Sequence, residues 1–198
     1  MIPASAFEDI IQELRRQPLP VNNYRNVAGE GRSQAFGPVN RRCLPPDYSR
    51  QCWLRPRLYK LLLDFADKYV DIPYTSITVN QNYQASKHRD KNNCGDSFLV
   101  AFGDFTGGQL KIYEGEFKGT HDIRYNPIVT DFSKVFHAVE PFQGERFSLV
   151  FYTLQSRVPL DLPPPSVELI NNKWTFKRGD KVCNGLPHPL RKKNLIQE

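Results

Sequence analysis

Ser97-Phe98-Leu99-Val100-Ala101-Phe102-Gly103-Asp104-Phe105-Thr106-Gly107-Gly108-Gln109-Leu110-Lys111-Ile112-Tyr113 is the stretch on which the fold turns. Residues 97–105 form an apolar run of strand length, Gly107-Gly108 is a turn signal, and residues 109–113 alternate again, so the segment reads as a β-hairpin. Working outward, residues 76–83 alternate and are β-branched at their start. Residues 121–125, 128–132, 135–139 and 146–154 follow as short strand candidates, the last two split by the turn-like Pro141-Phe142-Gln143-Gly144. Many short strands, with helical periodicity confined to the N-terminal part, predict an α+β, mainly β chain: an antiparallel sandwich or jelly roll buttressed by helices.

The helices lie before this block. Phe7, Ile10, Ile11 and Leu14 recur at helical spacing within residues 5–17, with Ser5 as N-cap and Glu8 three residues on. Residues 55–69 carry a second stripe of Leu58, Leu61, Leu62 and Phe65, with Pro56 in the first turn. Between them, residues 21–50 show no periodicity and read as a long loop whose Arg25, Arg32, Arg41, Arg42 and Arg50 can face phosphates. Pro163-Pro164-Pro165 reads as a stiff linker to a tail ending in the basic Arg191-Lys192-Lys193. The expected division is residues 1–75 as helical support with the arginine-rich loop, 76–160 as a double-stranded β-helix catalytic core, and 161–198 as a C-terminal extension, one compact unit overall.

At 198 residues, 39% hydrophobic and 24% charged, the composition is that of an ordinary soluble domain able to bury a core without staples. Cys43, Cys52, Cys94 and Cys183 have no C-x-x-C spacing and read as free thiols in a reducing compartment. Residues 1–9 carry no basic segment leading into an apolar run, and no apolar stretch reaches spanning length, so a cytoplasmic or nuclear protein without a membrane partner is expected. A net charge of +6 and a pI near 9.2 suit a polyanionic partner such as nucleic acid. Oligomeric state leaves no mark on the sequence.

Chemistry enters at Lys87-His88-Arg89-Asp90-Lys91-Asn92-Asn93. On extended backbone, His88 and Asp90 at i and i+2 share a face, so an imidazole nitrogen and a carboxylate oxygen converge. His137, 49 residues on, is a third ligand that a jelly roll can bring alongside, since its neighbouring strands are distant in sequence. Two histidines and one carboxylate are the facial ligand set of non-haem Fe(II) oxygenases. Nine residues after His137 comes Arg146, with Ser148 at i+2 on the same strand face. A guanidinium and a hydroxyl fit the distal carboxylate of 2-oxoglutarate, whose keto-acid end occupies two iron positions and leaves the last for O2. A tetrahedral zinc site accepts the same three ligands but gives Arg146 and Ser148 no task.

Val79-Asn80-Gln81-Asn82-Tyr83, the His88–Asn93 run, Gly103-Asp104-Phe105-Thr106-Gly107-Gly108-Gln109-Leu110 and His137-Ala138-Val139-Glu140-Pro141-Phe142-Gln143-Gly144-Glu145-Arg146-Phe147-Ser148 resemble the 2-oxoglutarate/Fe(II)-dependent dioxygenase superfamily. Within it they are most similar to compact TET/JBP-like oxygenases. The resemblance covers residues 76–154. It implies a double-stranded β-helix, His88, Asp90 and His137 on iron, Arg146 with Ser148 on 2-oxoglutarate, and Asn80 or Asn82 as further 2-oxoglutarate contacts. Asn92, Asn93 and Arg32 become candidates for substrate contact. The expected activity is hydroxylation of a C–H bond, with the 5-methyl group of 5-methylcytosine or thymine in nucleic acid as substrate and ascorbate as accessory reductant. The same iron site also fits a peptidyl or prolyl hydroxylase acting on a peptide substrate, and the bare ligand set fits a non-catalytic, cupin-like metal-binding module.

Overall fold

A computed structural model of the chain describes residues 1–21 and 31–178. The chain opens with a 3-10 turn, Ala4–Phe7, and the helix α1, Glu8–Arg16. Three short strands follow, β1 Arg32–Phe36, β2 Pro38–Arg41 and β3 Leu44–Tyr48, then α2 Arg50–Leu54 and α3 Pro56–Tyr69. The strands of the β-rich block are β4 Ser76–Gln81, β5 Ser97–Gly107, β6 Leu110–Ile112, β7 Gly119–His121, β8 Ile128–Thr130, β9 His137–Val139 and β10 Phe142–Tyr152. A last hairpin comprises β11 Pro165–Ile170 and β12 Lys173–Arg178.

Two antiparallel sheets carry the architecture. The larger runs β1-β4-β10-β5-β8 and the smaller β7-β6-β9. This is the predicted double-stranded β-helix. Period-two alternation explains why the large sheet has two different faces. Along β10, Phe147, Leu149 and Phe151 are fully buried and join Ile77, Val79, Phe98, Val100 and Phe102 against the helices. Their helical partners are the predicted stripes: Phe7, Ile10 and Leu14 of the opening segment and Leu58, Leu62 and Phe65 of α3, with Leu63 added and Leu61 half-buried. Phe7 stacks on Phe102 at 4.5 Å between ring centres. Each such side chain removed from water contributes about 1.5–3 kcal/mol, and together they fix the sheet on its helical support. The opposite face, with Leu99, Ala101, Leu110, Ile112 and Phe132, forms the interior between the sheets.

Several expectations change. Gly107-Gly108 does not close a hairpin. β5 pairs with β10 and β8, whereas β6 pairs with β7 and β9, so the two glycines carry the chain from the large sheet to the small one. β5 matches β10 continuously from Phe142↔Gly107 to Phe151↔Phe98, a ladder that the three-residue β6 cannot rival. For the same reason Phe142-Gln143-Gly144 is not a turn but the start of β10, paired with residues 107, 106 and 105. Ser5 caps no helix: it lies inside the 3-10 turn, and α1 begins at Glu8 with no side-chain cap. Residues 32–48 are strands rather than loop. β1 is an edge strand with one deep anchor, Phe36, and β2–β3 is a small outer hairpin containing Pro45-Pro46, so neither shows sustained alternation. Pro165 begins β11 instead of a linker, and Val167 and Phe176 of the last hairpin join the helical core.

Arg25, Cys183 and the Arg191-Lys192-Lys193 end lie outside the described residues. Cys43, Cys52 and Cys94 are free thiols. Among the described residues no helix is long and apolar enough to cross a membrane.

Candidate metal centre

The geometry of the triad begins in the backbone. After β4 the chain bends at Asn82, whose φ is +50°, and at His88 forms an antiparallel bridge with His137. The His88 N–H donates to the His137 carbonyl at 3.0 Å and the His137 N–H returns the bond at 2.9 Å. Two residues on, the Asp90 N–H donates to the Phe132 carbonyl at 3.0 Å. The imidazoles are oriented from behind. His88 Nδ1 donates to the Ser86 carbonyl at 2.6 Å and His137 Nδ1 to the Val135 carbonyl at 3.0 Å. Each ring therefore carries its proton on Nδ1 and turns an Nε2 lone pair inward. Those atoms lie 3.2 Å and 3.7 Å from the Asp90 carboxylate oxygens, and ligand atoms of all three residues fall within 4.8 Å of one another. Burial pushes the His137 pKa below its ordinary value, against the opposing pull of Asp90, and keeps the imidazole neutral as a ligand must be. Two nitrogen donors and one anionic oxygen on one wall of an open cavity fit a six-coordinate Fe(II) with free positions.

Arg146 stands in the same cavity, of about 760 Å³. It is 2% exposed, and among the described residues no carboxylate pairs with it. Its Nε donates to the Gly108 carbonyl at 3.1 Å, and the guanidinium lies over the Phe105 and Phe142 rings at 5.5 and 5.8 Å. One terminal nitrogen is buried with no partner. Burial lowers its pKa to about 10, so the group is still a cation at neutral pH. A desolvated cation that lines a cavity and has no carboxylate partner among the described residues suits an anionic ligand. Ser148 projects from the same face, and its hydroxyl accepts a 3.0 Å bond from Asn80 Nδ2 directly across the strand pair, leaving its own proton for a ligand.

Gly108 serves Arg146 directly. A methyl group there would sit 2.9 Å from Arg146 Cδ and Nε, and its φ of +69° already disfavours any side chain. Gly108→Ala is expected to displace the guanidinium and raise the 2-oxoglutarate requirement about tenfold while leaving metal affinity unchanged. Titrations of each ligand check this split.

His88, Asp90, His137, Arg146, Ser148, Asn80, Asn92 and Asn93 all line the one cavity. Asn82 and Arg32 do not. Asn82 instead accepts the Arg146 N–H on its Oδ1 at 2.9 Å and holds that strand end. Arg32 donates to the Leu19 carbonyl at the edge of the large sheet. Asn93 is buried below Asp90, its amide 3.4 Å from the carboxylate, and supports the turn. The sequence reading missed Thr78, Leu99, Leu110, Phe132, Val150 and Tyr152 as lining residues. The signal was available: continuing the i+2 step from Arg146 through Ser148 names Val150 and Tyr152.

It also missed Glu114. One oxygen of its carboxylate accepts from Arg89 Nε and Nη2 at 3.2 and 2.7 Å and from the Phe136 N–H at 2.7 Å. Arg89 stands between His88 and Asp90, and Phe136 precedes His137, so one oxygen ties the two ligand-bearing segments together. Hydrogen bonds from Arg89, then from the Phe136 N–H, hold the carboxyl below the usual carboxylate range. Glu114→Ala is expected to weaken Co(II) binding about tenfold, as loss of a supporting group does; unchanged affinity would count against the tie.

The chain has matches among solved structures. NgTET1, determined in complex with 5mC DNA, superposes with a TM-score of 0.52 at 12% identity, covering 78% of this chain and 69% of its own. The fold is shared. A prolyl-4-hydroxylase from Pseudomonas putida gives 0.49 at 16% identity over 79% of this chain and 89% of its own. A 2OG-Fe(II) oxygenase family oxidoreductase from Burkholderia pseudomallei gives 0.48 at 16% identity over 74% and 77%. No family model matches the sequence, and no curated protein does.

Proposed function

We propose that this protein is a 2-oxoglutarate- and Fe(II)-dependent dioxygenase that hydroxylates the 5-methyl group of a pyrimidine base in nucleic acid. One observation carries the reading: the two-histidine, one-carboxylate cluster shares a cavity with a buried, unpartnered arginine. Metal ligands alone fit a cupin-like binding module, but such a module has no use for a desolvated cation beside its metal.

His88 Nε2, His137 Nε2 and an Asp90 oxygen would hold the iron, and Arg146 with Ser148 would hold the distal carboxylate of 2-oxoglutarate. Bound iron and 2-oxoglutarate would supply the oxidation: 2-oxoglutarate and O2 would become succinate and CO2, and one oxygen atom would enter a substrate C–H bond as a hydroxyl. The remaining work belongs to the chain. Asn80 turns the Ser148 hydroxyl so that its proton faces the ligand. Arg146 offers its charge without desolvation at the moment of binding, because that cost is already met in folding. Leu99, Leu110, Phe132 and Val150 exclude water from the reacting face.

The nucleic-acid substrate is supported by the +6 charge and by a fold shared with a protein solved on methylated DNA. A methyl group inside a duplex is out of reach of a cavity, so the base must be extruded or presented in single strands. The test is direct. The full chain is incubated with Fe(II), ascorbate and 2-oxoglutarate against 5-methylcytosine DNA, thymine DNA, methylated RNA and proline-rich peptides. Mass spectrometry is expected to find hydroxymethyl bases and matching succinate. Hydroxylated peptide with untouched bases would make the protein a peptidyl hydroxylase, and no 2-oxoglutarate turnover under any condition would remove the enzymatic reading.

A further inference from the structure

Two further cavities open beside the metal-binding one, and all three meet at Asn92. One, of about 790 Å³, lies between the β2–β3 hairpin and residues 155–158 and shares Lys91 and Asn92 with the central cavity. The other, of about 640 Å³, lies between β1, β2 and the start of α2 and shares Thr78, Asn92 and Tyr152 with it. The ridge between them is built, not accidental. Asn40 Nδ2 donates to the Gln155 carbonyl at 2.9 Å, and the Gln155 N–H donates to the Asn92 carbonyl at 2.7 Å. The hairpin is thereby tied to the loop that carries His88 and Asp90.

The lining of the outer cavities is one-signed. Arg41, Lys91 and Arg157 line the first and Arg50 the second, all four exposed, and among the described residues no Asp or Glu lines either. Arg41 also approaches Asp47 at 3.8 Å, but that carboxylate lines neither cavity. The central cavity thus adjoins two outer cavities whose charged lining residues, among the described residues, are all cationic.

This layout selects among polyanions. In a polynucleotide every base is flanked on both sides by a phosphate, so a base entering the central cavity brings an anion to each outer one. An acidic peptide meets the same requirement only if acids happen to flank the reacting residue. Resting on the dioxygenase reading above, we infer that one nucleic-acid strand crosses the mouth at Asn92, with phosphates on Arg41, Lys91 and Arg157 on one side and on Arg50 on the other.

Binding without added metal tests this independently of catalysis. Fluorescence anisotropy is recorded with a labelled single-stranded oligonucleotide carrying one 5-methylcytosine, and with its duplex, over a range of salt. Removing a phosphate contact lowers the slope of log affinity against log salt by about 0.7 for a single strand. Arg41→Ala with Arg157→Ala is therefore expected to weaken binding about tenfold and to flatten the slope by two such steps. Arg50→Ala is expected to flatten it by one, and Arg157→Glu to weaken binding further than Arg157→Ala. Lys118→Ala, exposed and outside all three cavities, should bind as wild type. If the wild type oxidises methylated oligonucleotides while the cleft variants bind with unchanged affinity and slope, the strand path is wrong and the enzymatic reading stands. If acidic peptides bind in the cleft and no oligonucleotide binds or reacts, the path and the nucleic-acid substrate fall together.

Discussion

Arg146→Met is expected to raise the 2-oxoglutarate concentration needed for half-maximal turnover at least about a hundredfold, while leaving the chain as stable as before or more so. The two effects have one origin. Burial that lowers the arginine pKa from its ordinary value to about 10 corresponds to about 3 kcal/mol of destabilisation carried by the folded protein. The shift is downward for a base, so the sign is unfavourable to folding wherever the group is charged, which includes neutral pH. Methionine fills much of the same volume between Phe105 and Phe142 without that cost. It also removes the cavity's buried guanidinium, which has no carboxylate partner among the described residues, and breaking a buried pair costs about 3–5 kcal/mol. Thermal melting with and without 2-oxoglutarate separates these effects. The wild type should gain stability as ligand is added and the variant should not. A variant that melts earlier than wild type yet keeps its 2-oxoglutarate affinity would overturn the assignment.

The second large effect is at the triad. Asp90→Ala removes the one anionic donor, and His137→Ala one of two nitrogens. Either change is expected to lower Co(II) or Fe(II) affinity beyond the 10–100-fold seen when supporting groups are lost and to abolish succinate release. Folding should survive both, because the bonds that shape the site use the main-chain atoms of these residues. Isothermal titration with Co(II), followed by succinate measurement, decides the matter. Turnover retained in both variants would sink the triad.

The constellation was legible because its members come at fixed local steps. His88 and Asp90, and Arg146 and Ser148, are i, i+2 pairs on extended chain, and period two puts each pair on one face whatever the wider topology. The jelly roll was legible for a similar reason, in the alternation of β4 and β10. What the sequence did not disclose was pairing between distant strands. Gly107-Gly108 announces a reversal, but not that the chain leaves one sheet for another, since that depends on the long ladder with β10 formed some forty residues later. β1 to β3 went unread because one buried phenylalanine in an edge strand leaves no period. Glu114 was invisible because an isolated acid in a polar stretch gains meaning only when Arg89 and the Phe136 N–H arrive beside it. Asn80 or Asn82 entered as a 2-oxoglutarate contact through the resemblance; Asn80 lines the cavity, whereas Asn82 accepts the Arg146 N–H.

The paired main-chain bonds between His88 and His137 have a consequence for how the protein acquires its ion. Where a metal assembles its own ligands, chelation unfolds the domain. Here a strand bridge brings the two imidazoles together and each is fixed through Nδ1, so main-chain bonds as well as an ion can hold them in place. A frame of two imidazoles and a carboxylate accepts Co(II), Ni(II), Cu(II) and Zn(II) at least as tightly as iron, so affinity alone does not select iron, and cellular supply decides which metal the protein carries.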